Sequence, residues 1–357
     1  MIKQLPDTDT LGEIAFPQWE SNVNEWNRTQ RAAGDFIGAN YSLFTDTVTT
    51  FGSLTSSWWG GVVANGSIYC IPYHSTAVLK INPTTDTVTT FGSLAGSAKW
   101  AGGVLASNGY IYGIPHSSTT VLKINPTTDT ATTFGSLSGS NKWVGGVLAS
   151  NGMIYGIPCT STTVLKIDPT TDTVTTFGSF AGTFKWYGGA LAPNGSIYGI
   201  PYISATALKI DPTTDTATTF SSGRSCFGGV LAPNGMIYGI TLDGTTILKI
   251  NPTTDTTTTF GSLGSGNKWV GGVLAPNGMI YGMPHTSTTV LRIDPTTDTT
   301  TTFGSLAVVA DKWYGGVLAT NGSIYGIPLS STAVLKINTT AITTPIDFVC
   351  SRFFNKF

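Results

Sequence analysis

Charge is what this chain of 357 residues has least of. Asp, Glu, Lys and Arg make up 10% of it, against roughly 25% in an ordinary soluble domain. A formal net charge of −1 sets up no field to draw in a polyanion, so nucleic acid is not an expected partner. Glutamate occurs at Glu13, Glu20 and Glu25 alone, and histidine at His74, His116 and His285 alone. Cys70, Cys159, Cys226 and Cys350 occupy unrelated places, which makes neither a disulfide framework nor a zinc site. No metal and no cofactor is expected. No apolar run reaches the roughly 18 residues that signal a bilayer crossing, and none near the start reads as a cleavable leader. Gly, Thr, Ser and Asn carry the polar surface instead, a composition that suits an extracellular or virion-associated protein.

What is there is repetition. The clearest copy runs from Trp143 through the Asn151-Gly152 turn, Ile154-Tyr155-Gly156-Ile157-Pro158 and Val164-Leu165-Lys166-Ile167-Asp168-Pro169 to Thr175-Thr176-Phe177. Its tyrosine recurs at Tyr69, Tyr112, Tyr155, Tyr198, Tyr238, Tyr281 and Tyr325, in steps of 43, 43, 43, 40, 43 and 44 residues. Each unit reads as four short strands separated by Asn-Gly and Pro-Thr-Thr turns. Four strands in about 43 residues make a propeller blade. The expectation is an all-β, seven-bladed β-propeller of four-stranded blades over residues 44–345, with 1–43 a docking or capping segment and 346–357 an aromatic tail. Paired glycines in each first strand would let backbones converge on the axis. Asp46–Phe51 copies a fourth strand before any first strand has occurred, so it is expected to supply the outer strand of blade 7, ahead of the competing C-terminal fragment.

Two loops per blade fall at one end of such a ring. The loop before each first strand carries Lys99-Trp100, Lys142-Trp143, Lys185-Trp186, Lys268-Trp269 and Lys312-Trp313, with Trp58-Trp59 in blade 1. The loop after each second strand supplies Tyr73, His74, His116, Tyr202 and His285. Aromatic planes beside lysines can bind a glycan, a peptide or another cell-surface ligand. The same tryptophans can equally be wedges between blades, with the lysines in solvent, and both readings stand open. His116 and His285 belong to blades 2 and 6, and His74 is offset by one position, so a shared metal site is not expected. Blade 5 departs from the pattern at Arg224, Cys226, Thr241, Leu242 and Asp243. At the opposite end, Asp86, Asp129, Asp172, Asp215, Asp255 and Asp298 recur in turns, where capping is the simplest role.

The ends differ from the body. Residues 18–33 can form a helix carrying Trp19 and Trp26 on one face. Phe348, Phe353, Phe354 and Phe357 make a tail that is costly to leave in water. All six are candidates for docking other protein subunits.

The strings Ile167-Asp168-Pro169-Thr170-Thr171-Asp172 and Asn194-Gly195-Ser196-Ile197-Tyr198 resemble those of the NHL-like, YVTN-like and streptogramin-lyase-like propellers. The lyase branch of that group implies a metal-assisted histidine and glutamate pair that opens a cyclic peptide lactone by elimination. The repeats here hold no glutamate and no His-X-His or Glu-X-His cluster, so no catalytic residue carries over and the chain is not expected to be an enzyme. The resulting expectation is a structural or display propeller in an extracellular or viral assembly, a bacteriophage tail among them. A lectin-like module is the alternative.

Overall fold

The structure, a computed structural model, describes residues 46–223, 226–266 and 268–339. Every regular element among them is a strand, and the strands number β1 to β28 in chain order. They form seven antiparallel sheets of four. Six sheets use consecutive strands, beginning with blade 1 at Trp58–Ala64, Ser67–Pro72, Val78–Asn82 and Thr87–Phe91. The seventh joins the two ends of the ring: β1 (Thr47–Phe51) pairs with β28 (Val334–Asn338), beside β27 (Ile324–Pro328) and β26 (Trp313–Leu318). Thr47 lies opposite Asn338 and Phe51 opposite Val334. The N-terminal strand thus closes blade 7, as its sequence implies, and covers an edge that would otherwise stand open.

Each first strand is bent by a register shift where its two glycines fall, as between Trp143 and Gly146. The first glycine of the pair holds φ between 64° and 85° in all seven blades. A Cβ built on Gly102 would lie 2.9 Å from the Cα of Gly145, and one on Gly145 would lie 2.9 Å from the Cα of Gly188. Seven such approaches run around the axis and end where Gly315 meets Gly60. At most of these positions a side chain would crowd the neighbouring backbone, and the positive φ favours glycine at all seven independently.

Between blades the packing repeats. Tyr112, Ile114 and Val121 of blade 2 pack with Trp143, Ile154, Leu165 and Ile167 of blade 3. Each large apolar side chain contributes roughly 1.5–3 kcal/mol when fully buried. Tyr155 meets Phe177 edge-on with centroids 6.1 Å apart, and Tyr325 meets Phe51 of the closing strand in the same way.

Candidate functional site

The end of the ring formed by the third-to-fourth turns is a set of latches between blades. Tyr155 of blade 3 donates its hydroxyl to Asp215 of blade 4 at 2.7 Å and to the carbonyl of Pro212 at 3.3 Å. Asn151 donates to that same carbonyl at 2.8 Å, and Lys166 pairs with Asp215. The pairs Lys80–Asp129, Lys123–Asp172, Lys209–Asp255, Lys249–Asp298 and Lys336–Asp86, all 2.6–2.7 Å, repeat the arrangement. At the closing blade Arg292 and Tyr281 take Asp46, at 3.2 and 2.7 Å.

The aspartates therefore do not cap their own turns, which corrects the simplest sequence reading. Capping falls to the residue before proline: Asn82 accepts from the N–H of Thr84 at 2.9 Å, and Asp168 from that of Thr170 at 2.8 Å. The six aspartates in the turns sit at φ 52–55°, a conformation aspartate tolerates, and reach across to the preceding blade. Burial pushes the Asp215 carboxyl up, but Lys166 and Tyr155 outweigh it and hold the group below the ordinary carboxylate range. Burial pushes Tyr155 up to about 12.

At the other end the tryptophans and lysines turn inward. Trp58, Trp100, Trp143, Trp186, Trp269 and Trp313 are all buried. Their indole N–H groups donate to backbone carbonyls at 2.6–2.9 Å. Lys99, Lys142, Lys185 and Lys312 are buried as well, and Lys268 is half-buried. Each ammonium sits in a cage of carbonyls drawn from two blades. Lys99 donates to Ser75 O at 2.7 Å, Gly96 O at 2.8 Å and Tyr73 O at 3.3 Å. Lys185 donates to Cys159, Ser161 and Gly182 within 3.1 Å, and Lys268 to Gly244 and Gly266. Burial lowers the pKa of all five, that of Lys142 to about 8. These side chains hold loop to loop.

What does converge at this end is a plug over the axis. The residue after each tryptophan or Cys226 points inward: Ala101, Val144, Tyr187, Phe227 and Val270 are buried together with Cys159 and Leu242, while Trp59, Tyr202 and Tyr314 are half-buried against them. Trp59 lies 4.6 Å from Tyr314 and 4.8 Å from Tyr73, and stacks at 26° on both Tyr187 and Phe227. Phe227 and Tyr187 are 4.2 Å apart, and Tyr202 is 4.8 Å from Tyr187. Tyr187, Phe227 and Tyr314 are the plug residues that sequence reasoning did not single out. The position following each tryptophan was the available signal.

The histidines flank this plug. His116 is buried, 5.8 Å from Trp59, and burial takes its pKa down to about 4. His285 packs 4.8 Å from Tyr314, and its Nε2 lies 2.8 Å from Asp311, yet neither ring nitrogen is aligned for a hydrogen bond. Burial lowers its pKa, with Asp311 opposing. His74 is exposed and accepts from the N–H of Ala98 at 3.3 Å. No cluster of three metal-ligating side chains occurs among the described residues. Cys70, Cys159 and Cys226 are buried as free thiols. Trp19, Trp26, Phe348, Phe353, Phe354, Phe357, Cys350 and Arg224 lie outside the described residues.

Residues 63–222 match a family described as a repeat of unknown function, DUF6923. No curated protein matches the chain. Among solved structures, virginiamycin B lyase from Staphylococcus aureus is similar at TM-score 0.71 and 11% identity, over 83% of this chain and all of that one. A streptogramin B lyase gives TM-score 0.72 and 13% identity, covering 83% of this chain and 98% of its own. The extracellular domain of a one-component system from B. thetaiotaomicron gives 0.60 and 12%, covering 83% of this chain and 42% of its own. The chain is a seven-bladed β-propeller with structural neighbours of various functions, and at these identities the likeness is one of fold. No helix among the described residues is long and apolar enough to cross a membrane.

Proposed function

We propose that this chain is a non-catalytic propeller that serves attachment or protein–protein contact in an extracellular or virion-borne assembly such as a bacteriophage tail, and that the plugged end is its contact face. The observation that carries this is Phe184. It occupies the place of Ala98 and Asn141 in other blades, with φ at 50°, where a non-glycine residue costs roughly 1–2 kcal/mol. The residue is nevertheless 37% exposed, and it lies beside Ile203, 52% exposed, whose N–H donates to its carbonyl. Strain at an exposed apolar residue suits a contact made with something else. Val308 and Val309 on the loop entering blade 7 are exposed too.

The charge pattern favours the same reading. Third-strand cations are taken by the latches, and the loop lysines by their cages. His116, at about 4, is buried below the range in which a general base works at neutral pH, and burial lowers His285 in the same direction. On this reading the lyase neighbours share the architecture and not the reaction.

The test is Phe184→Asn, which installs the residue found at the same place in blade 3. Thermal stability should hold or rise, while incorporation into the native assembly falls at least tenfold. Full incorporation of the variant would remove the plugged end from the interface. Loss of assembly on deleting residues 1–40 or the last ten, with this variant silent, would assign docking to the chain ends. A lectin-like role is the second reading, favoured by the half-buried rings of Trp59, Tyr73, Tyr202 and Tyr314. Glycan-array binding lost in Tyr202→Ala would establish it.

A further inference from the structure

Blade 1 departs from the cage pattern in two linked respects. Where five blades carry lysine immediately before the first-strand tryptophan, blade 1 carries Ser57. Its loop is also shorter: six residues (52–57) separate Phe51 from Trp58, whereas eight (92–99) separate Phe91 from Trp100. The missing residues belong to the glycine turn that supplies Gly96 O to Lys99 and Gly182 O to Lys185.

Much of the rest of the cage is retained, although Ser57 N–H does not make the bond to Leu329 O that Lys99 N–H makes to Tyr73 O. The carbonyls that hold Lys99 from the preceding blade belong to Tyr73 and Ser75, one and three residues after Pro72. In blade 7 the corresponding residues after Pro328 are Leu329 and Ser331. Their loop has the same internal bonding. Ser331 donates to Ala333 O at 2.9 Å and accepts from its N–H at 3.1 Å, matching Ser75 and Ala77 at 2.8 and 3.1 Å. The blade-to-blade bond Leu54 N–H to Thr332 O, 2.8 Å, matches Leu94 to Thr76 at 2.7 Å.

The aromatic wall is retained too. The five caged ammoniums lie 5.7–5.9 Å from the ring of the adjoining tryptophan, within reach of a cation–π attraction. Trp58 keeps the same burial, with its indole N–H on Ala77 O at 2.8 Å. Next to Ser57, in front of but not touching Trp58, lies a cleft of about 320 Å³, bordered by Leu54, Ser57, His74, Leu329 and Ser331.

We propose that this cleft between blades 7 and 1 is a receptor for a primary ammonium group, namely a lysine side chain offered by a partner protein or a free alkylamine. The internal lysines are the template for the bound state: all five donate to the carbonyl equivalent to Ser331 O, and Lys99 and Lys185 also to the one equivalent to Leu329 O, so a bound ammonium would donate to Ser331 O first and Leu329 O second. The volume suits a four-carbon stem, and Leu54 and Leu329 give that stem an apolar border. Burial, together with Lys99, holds the His74 pKa below that of an ordinary imidazole, so at neutral pH the ring does not repel a cation. Only the partner as source rests on the contact function proposed above; the receptor chemistry does not.

The experiment is a titration of the full chain with Nα-acetyl-lysine methylamide by ligand-detected NMR. We expect saturable binding that weakens at least tenfold when the Nζ is acetylated, and at least tenfold in Ser57→Lys, whose own ammonium would enter the cage. Ser330→Trp, altered at an exposed residue of the border, should obstruct the cleft without entering the core and reads the same loss if Ser57→Lys misfolds. Absence of saturable binding, equal binding of the acetylated probe, or full binding by a folded Ser57→Lys would overturn the assignment. So would displacement by KCl but not by butylammonium. Butylammonium binding as tightly as the lysine probe would identify a free amine as sufficient; tenfold weaker binding would point to the protein side chain. A partner that fails to bind while the small probe succeeds separates failure of the contact function from failure of the receptor.

Discussion

The two ends of the ring join neighbouring blades with the same cation by opposite means. At the latch end lysine meets a carboxylate at a partly exposed pair, with side-chain exposures of 18–28% for the six latch lysines and 35–38% for their aspartates. At the plug end lysine meets backbone carbonyls, mostly out of water. Exposed ion pairs are each worth roughly 0–1 kcal/mol, so the latches contribute more to register than to energy. A caged ammonium loses its hydration and is repaid by carbonyl dipoles and a tryptophan face but by no carboxylate partner bonded to it, which is why its proton is held less firmly than usual. The carbonyls it satisfies belong to two loops of different blades. That end is therefore defined by side chains that hold loops, and its exposed groups include the apolar Phe184, Ile203, Val308 and Val309.

The largest break in this comparison is expected at Asp46. It is the one latch carboxylate that is deeply buried, at 3% exposure, and the one that precedes the closing strand. Asp46→Ala leaves the buried Tyr281 hydroxyl without its acceptor and Arg292, itself 40% exposed, without its partner, and should cost roughly 2 kcal/mol. Asp215→Ala, at 38% exposure, should cost roughly 1 kcal/mol. Urea midpoints of the two variants measure the difference. Equal losses would mean that the closing seam is no weaker point than any other.

A smaller effect separates the two kinds of lysine. Lys142→Met removes the donor from Ser118 O and Gly139 O, which now receive it at 2.7 and 2.8 Å, but it also removes the penalty of a buried charge. The net loss should be about 1–2 kcal/mol. Lys166→Met at the latch end should lose less than about 1 kcal/mol. The reverse order, read from the same urea curves, would make the latches the energetic joints of the ring.

Much of the ring was legible in the chain because its determinants are periodic. The Ile-Tyr pair, the Asn-Gly and Pro-Thr-Thr turns and the Thr-rich fourth strand recur with nearly constant spacing, and Thr47–Phe51 announces the closing strand by copying the others. The latch was legible as well, though only as two separate series: the third-strand cation and the turn aspartate lie 46 or 49 residues apart along most of the chain. That offset places them on neighbouring blades, whereas capping assumes a local partner.

The plug was hidden for the opposite reason. Seven large side chains cannot meet on one axis, so its position alternates bulk with Ala101, Val144 and Val270, and no repeat is visible. The cages were hidden because their acceptors are backbone carbonyls, which have no signature of their own. Lys142 beside Trp143 looks the same whether it faces solvent or is enclosed.

The finest test is a pH profile of stability, which sets the two ends against each other. Lys142 has a folded pKa of about 8 against an ordinary 10.5, so between those values the unfolded chain binds more protons and stability rises with pH. Burial moves the other caged lysines in the same direction, which strengthens the slope. The latch tyrosines act with the opposite sign. Tyr155 is pushed up to about 12 from an ordinary 10.0, so the folded chain keeps a proton that the unfolded chain loses, and stability falls above pH 10. Stability should accordingly climb from pH 8 and turn over near pH 10. In Lys142→Met the climb should be shallower with the turnover unchanged, whereas in Tyr155→Phe the descent should soften and the climb remain. A profile flat from pH 8 to 10 would mean that the carbonyl dipoles fully replace the water each ammonium gives up. The plug end would then hold its cations as firmly as the latch end does.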